Sequence, residues 1–219
     1  MGSGFLIVGI LALALGLSRG GGGASSVLAD DPADAAASPM AVAALSAPAP
    51  PPPLSIATLG SLSLRMPVDR RIVTAIAFRP VDNPAALSLT PSEGTGAEVV
   101  GDTGSVDVGA PAGTLVWSPV DGTVESVTPY LIAGRAQGYD VAIQPTVVAG
   151  ILVHVTHLQP PAGGRRPRVG QAVRAGTGRP IGQVRDFTSI GKQEISRYTP
   201  DGGNHVHIEV VRTGTSGLP

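Results

Sequence analysis

Two of the four histidines stand two residues apart in Gly203-Asn204-His205-Val206-His207-Ile208-Glu209-Val210. In an extended strand, residues two apart share a face, with Cα atoms about 6.5–7 Å apart. His205 and His207 therefore point the same way, and Val206, Ile208 and Val210 point to the opposite, apolar side. One imidazole of such a pair can hold a zinc ion at about 2.0–2.1 Å while the other stands beside the open coordination position. The same pattern also fits a polar strand face that carries two incidental histidines. The remaining pair lies in Leu152-Val153-His154-Val155-Thr156-His157-Leu158. Three apart, these two face opposite sides of a regular strand, which predicts that they do not join one site. His157, just before Gln159-Pro160, is expected to reach a cleft, and His154 to be structural or exposed. The chain has no Cys. Thiolate zinc sites, disulfide scaffolds and cysteine nucleophiles are thereby excluded, and a metal would need His and carboxylate ligands.

The elements that must position these side chains are strands. The 219 residues are 42% hydrophobic but only 3% aromatic, so the core must be built from Val, Ile, Leu and Ala. Thirty Gly and 21 Pro argue against a helical bundle. Short Val/Ile-rich runs alternate with Gly and Pro at 98–101, 114–118, 122–129, 139–144, 150–157, 171–174, 180–185 and 205–212. This spacing predicts an all-β antiparallel sandwich or barrel. Residues 71–78 also read as a strand, and 85–90 as a short apolar turn or helix. The formal net charge is −1, with no long basic run, so nucleic acid is not an expected partner.

Phe5 to Leu17 is an uninterrupted apolar run of 13 residues. It is short for a membrane span, which needs about 20, and suits a secretory signal or an anchor. Residues 1–29 are thus expected to form an apolar signal or anchor helix, and 30–54, rich in Ala and Pro, a disordered tether. Residues 55–97 read as an extension of the β domain, which spans 98–215. An exported protein, membrane-tethered or wall-associated and monomeric, is the expectation, with membrane contact only through the N-terminal segment.

The motifs carry a resemblance. Gly113-Thr114-x-Val116-x-x-Pro119-x-Asp121-Gly122-x-Val124, then His157-Leu158, then Val169-Gly170-Gln171-x-Val173, then His205-x-His207-x-Glu209-Val210 resemble, in order and spacing, the lysostaphin/LytM-type zinc endopeptidases. The similarity runs over about 98–212. It implies a β-sheet groove of the duplicated hybrid motif, related to barrel-sandwich domains, and action on peptidoglycan peptides with Zn2+. It also implies that His207 and Asp107 are metal ligands and that His157 and His205 are catalytic. The first zinc ligand of that family is a His four residues before the Asp; here Thr103 stands in its place, beside Asp102. A catalytic zinc normally has three protein ligands and a water. Two would hold it weakly.

Three functions follow as expectations. The first is a degenerate relative that binds peptidoglycan or regulates an envelope hydrolase. The second is an active zinc endopeptidase with Asp102 or another group replacing the missing His ligand. The third is a barrel-sandwich adaptor. A carrier domain of that last type needs a turn lysine, and the single Lys192 lies outside any matched hairpin. Trp117 is expected in the core. Residues 165–168 are expected as a solvated basic loop, and 186–199, with Tyr198, as a groove wall.

Overall fold

Alternation of apolar and polar residues continues through the second half of the chain, and the chain folds there as strands. A computed structural model describes residues 54–80, 83–99 and 103–214. The expected apolar N-terminal helix and nearly all of the expected tether lie outside the described residues. Among those residues no helix is long and apolar enough to cross a membrane.

The strands are β1 (Ser55–Leu59), β2 (Leu62–Arg65), β3 (Ala75–Arg79), β4 (Thr90–Pro91), β5 (Glu98–Val99), β6 (Ser105–Gly109) and β7 (Leu115–Val116). They continue with β8 (Gly122–Ile132), β9 (Arg135–Pro145), β10 (Ile151–Gln159), β11 (Ala172–Val173), β12 (Gly182–Val184) and β13 (His205–Arg212). A small sheet has the order β2-β1-β4, and a large curled one the order β11-β8-β9-β10-β13-β6-β3-β5, with β12 joining β10 to β7. The described part is all-β, as the residue pattern predicts, and the pairing is antiparallel except between β3 and β5. One sequence reading is corrected, and another resolves to the turn among its two alternatives. Arg70–Ile72 is a 3-10 turn, because the Asp69 carboxylate accepts from the Arg71 backbone N–H at 3.0 Å, and the strand begins only at Ala75. The segment around 85–90 is a turn that bridges Ala86 to Val211 and leads into β4.

One face of the large sheet is core. Val106 and Val108 on β6, Val141 and Ile143 on β9, Val153 and Val155 on β10, and Val206, Ile208 and Val210 on β13 are fully buried. Each such side chain contributes roughly 1.5–3 kcal/mol by leaving water. Trp117 joins this interior, and its indole N–H donates to the Gly178 carbonyl at 3.2 Å. The opposite face carries the polar members of the same alternation. Register sets Arg79 beside Ser105, Ser105 beside Glu209 and Glu209 beside His154; in the next row, Ala77 lies beside Asp107, Asp107 beside His207 and His207 beside Thr156.

Strand β10 is not regular. Its pairing with β9 slips between Val155 and Leu158, where His157 takes a φ of +64°. Gly138 lies opposite this bulge with a φ of +124°, and a Cβ there would meet the Leu158 carbonyl oxygen at 2.3 Å. Gly138 is therefore required both by its dihedral and by the closeness of the two backbones. Gly138→Ala is expected to cost about 2–4 kcal/mol, from left-handed strain plus backbone overlap, read as a lower midpoint in urea unfolding.

Candidate functional site

The polar face of the sheet forms the floor of a cleft of about 490 Å³. Its floor includes His154, Thr156, His207 and Glu209, its rim holds Tyr130, and the segment after Asp186 closes one side through Gln193 and Glu194. That segment is held by local bonds. The Asp201 carboxylate accepts from the backbone N–H of Gly203 at 3.1 Å and of Asn204 at 3.2 Å. The Asn204 side-chain oxygen in turn accepts from the Phe187 N–H at 2.7 Å. Gly203, at φ +89°, packs against Gln193 and Ser196 with room for no side chain. The expected groove wall over 186–199 is thus present.

His157, His205 and His207 come together in the cleft with Asp107. The His157 ring centroid is 4.4 Å from that of His205 and 5.8 Å from that of His207. Tyr130 and Phe187 meet the His157 ring edge-on at 4.8 and 4.7 Å. His205 bonds through Nδ1 to the Gly203 carbonyl at 2.6 Å. A carbonyl only accepts, so Nδ1 carries the proton. Its Nε2 lies 3.7 Å from Asp107 Oδ1. His207 Nδ1 donates to the same oxygen at 2.7 Å.

The placement of His154 corrects the sequence reading. Both His154 and His157 line the cleft. In a straight strand they would oppose each other, but the left-handed turn at His157 swings its ring onto the face that His154 already occupies. His154 Nδ1 donates to Asp140 Oδ2 at 2.8 Å. That bond raises its pKa against the opposing effect of burial, with further help from the charges of Asp140 and Glu209.

Asp107 is the most enclosed charge of the site, its side chain only 2% exposed. Burial pushes its carboxyl up, but the hydrogen bond from His207 and the charges of His207, His205 and Arg79 together outweigh that and hold it below the usual range. Arg79 Nε stands 3.2 Å from Asp107 Oδ2, and Arg79 also pairs with Glu194. Both oxygens of Asp107 are therefore engaged. Thr103, at the position of the family's first metal ligand, is buried and turned away; its hydroxyl donates to the Leu89 carbonyl. Asp102 lies outside the described residues. Among the described residues no group of three or more His, Cys, Asp or Glu side chains is arranged to hold a metal.

Sequence reading missed Arg79 and Tyr130. Arg79 ends a strand in an extension to which no motif assigned a role. Tyr130 sits 27 residues before His157, in a run to which no motif assigned a site role. Burial and the nearby Asp107 charge raise the Tyr130 pKa, which keeps its phenol protonated as a donor.

No family model matches this chain, and no curated protein matches it. Among solved structures it is similar to Helicobacter pylori Csd3 in a hexagonal crystal, at 18% identity and a TM-score of 0.39, over 75% of this chain and 37% of that one. It is also similar to a chain of the SpoIIQ–SpoIIIAH pore-forming complex, at 20% identity and a TM-score of 0.39, over 69% of this chain and 87% of that one. The orthorhombic crystal of Csd3 matches at 20% identity and a TM-score of 0.33. The chain thus spans well under half the length of the Csd3 chains, 37% and 36%. At these identities and scores neither a fold nor a role carries across.

Two outcomes follow from the electrostatics. Burial, then the charges of His205 and His207, push the His157 pKa down to about 2. The unfolded chain takes up that proton near pH 6.5 and the folded chain does not, so His157 removes ~1.4 kcal/mol of stability per pH unit below about 6.5. His154, whose pKa is raised, acts in the opposite sense. Urea unfolding from pH 7 to 5 should therefore be compared between the native chain and His157→Asn, a residue that tolerates the left-handed backbone; the variant should show the shallower loss. Arg79→Ala, which leaves the buried Asp107 short of a partner, is expected to cost about 3 kcal/mol at pH 7 in the same assay.

Proposed function

We propose that residues 98–215 are a peptidase-like domain of the lysostaphin/LytM type that has lost its hydrolytic metal centre. It serves as an exported cell-envelope module that binds peptidoglycan peptides or an envelope hydrolase. The observation that carries this reading is the state of Asp107: one oxygen accepts a hydrogen bond from His207 Nδ1 and the other faces the Arg79 guanidinium. A zinc ligand donates a lone pair to a cation, and a guanidinium beside that carboxylate already supplies the positive charge that a metal would bring. Thr103 adds to the misfit, since its hydroxyl is spent on a backbone carbonyl. Among the described residues, the donor set does not fit a three-ligand zinc.

The order of motifs from Gly113 to Val210 supports the family, and the cleft supports binding. His205 has its proton on Nδ1, Tyr130 keeps its phenolic proton, and the His157 ring is neutral. Such groups offer fixed hydrogen-bond donors and acceptors to the amides of an extended peptide. A protein that uses them this way needs the cleft and no turnover.

Zinc titration of the full chain by calorimetry, with His207→Ala as control, tests the metal half of the reading. No stoichiometric site tighter than about 10 μM is expected, a weak limit for a family whose metal is structural to catalysis. Cosedimentation with purified peptidoglycan, with assay of newly released amino groups, tests the other half. Binding without release is expected, with or without zinc. One zinc per chain, lost in His207→Ala and accompanied by release, would instead establish the active endopeptidase, with Asp102 or another group replacing the missing His ligand.

A further inference from the structure

Arg79 is held between two carboxylates of opposite character. Asp107 is almost wholly buried and is also bonded by His207; separating it from Arg79 would strand a charge in the interior. Glu194 has a side chain 73% exposed and stands at the start of the 3-10 turn Glu194–Arg197. An ion pair with so exposed a partner contributes little, because water competes for both groups. The two contacts use different nitrogens of the guanidinium, Nε toward Asp107 and Nη2 toward Glu194. The guanidinium is thus held on its inner side by a buried carboxylate, and its outer edge holds an exchangeable partner.

The surroundings of that outer edge are specific. Arg79 borders the histidine-lined cleft and also an adjoining cavity of about 250 Å³. The adjoining cavity has a mainly apolar wall of Phe78, Pro80 and Ile195, with Tyr198 at its side, and the charged Asp107, Glu194 and Arg197 also border it. A guanidinium accepts a carboxylate in a directional, often two-bonded manner. An apolar cavity beside it takes a small hydrocarbon side chain. A carboxylate with an apolar side chain one bond away is the C-terminal residue of a peptide.

We infer that Arg79 is the carboxylate-receiving group of the cleft, that Glu194 is its internal stand-in, and that the ligand is a peptide with a free C-terminal carboxylate and an apolar last residue. The inference rests on the reading of the cleft as a peptide-binding site and names the end of the peptide that enters. The ligand carboxylate displaces Glu194, its last side chain fills the cavity beside Phe78 and Ile195, and the preceding residues run past His207 and His157.

The probe is acetyl-Ala-Ala-Leu, as the free acid and as the C-terminal amide, titrated into the full chain by calorimetry. The acid should bind at least tenfold more tightly than the amide. Glu194→Gln, which removes the competing carboxylate and leaves the buried pair intact, should tighten the acid several-fold and leave the amide unchanged. Arg79→Gln should abolish the preference for the acid. Since that variant also deprives Asp107 of its partner, Glu194→Gln is decisive by itself. Equal binding of acid and amide, with no effect of Glu194→Gln, overturns the inference and leaves the peptide-binding cleft standing. Absence of binding by both peptides at millimolar concentration overturns the two together.

Discussion

A carboxylate removed from water must be compensated, and the compensation of Asp107 organises the site. The residue sits on the central strand β6, and its partners come from both neighbouring strands: His207 from β13 and Arg79 from β3. Because each partner is set by register, a slip of one residue in either pairing would turn His207 or Arg79 to the opposite face of the sheet. The charge thus ties three strands to one register. Through Glu194 the same guanidinium reaches the wall segment, so the position of that wall is coupled to a charge in the floor.

Under the proposed reading, the same arrangement accounts for how a site of this kind could do without a metal and keep its fold. Two carboxylate oxygens facing a cleft floor need positive charge or donors. In a zinc enzyme the ion supplies it. Here Arg79 Nε and His207 Nδ1 do so, while Thr103 is free to close a backbone contact to Leu89 that a metal ligand could not make.

The convergence of the histidines depends on a local irregularity. A regular β10 would bury the His157 ring among Val153 and Val155 on the core face. The bulge at φ +64° moves it to the cleft, and Gly138 on β9 makes room for the displaced backbone. Tyr130, Phe187 and His205 then surround the ring. Packed in this way, away from water and beside two other imidazoles, His157 stays neutral. The cleft therefore sets a neutral His157 ring among hydrogen-bonding groups, with the carboxylates of Asp140 and Glu209 on its lining and the charged pair of Arg79 and Glu194 along one side.

Much of this was legible in the residues. The Val/Ile periodicity determined an all-β fold. The spacing of His205 and His207 determined that both face one side, with Val206, Ile208 and Val210 behind them. Periodicity is a local property, so a sequence states it directly. The sequence did not reveal that His154 shares the cleft with His157, because strand alternation assumes a regular backbone and a bulge is decided by the strand opposite. Nor did it reveal that Arg79 faces Asp107 and that Tyr130 meets His157. Those contacts join residues 28 and 27 positions apart through strand pairing, and no local pattern encodes which strand will lie beside which. The chain determined which side chains were present and which way most of them point; only the tertiary structure decided that the buried carboxylate is answered by a guanidinium.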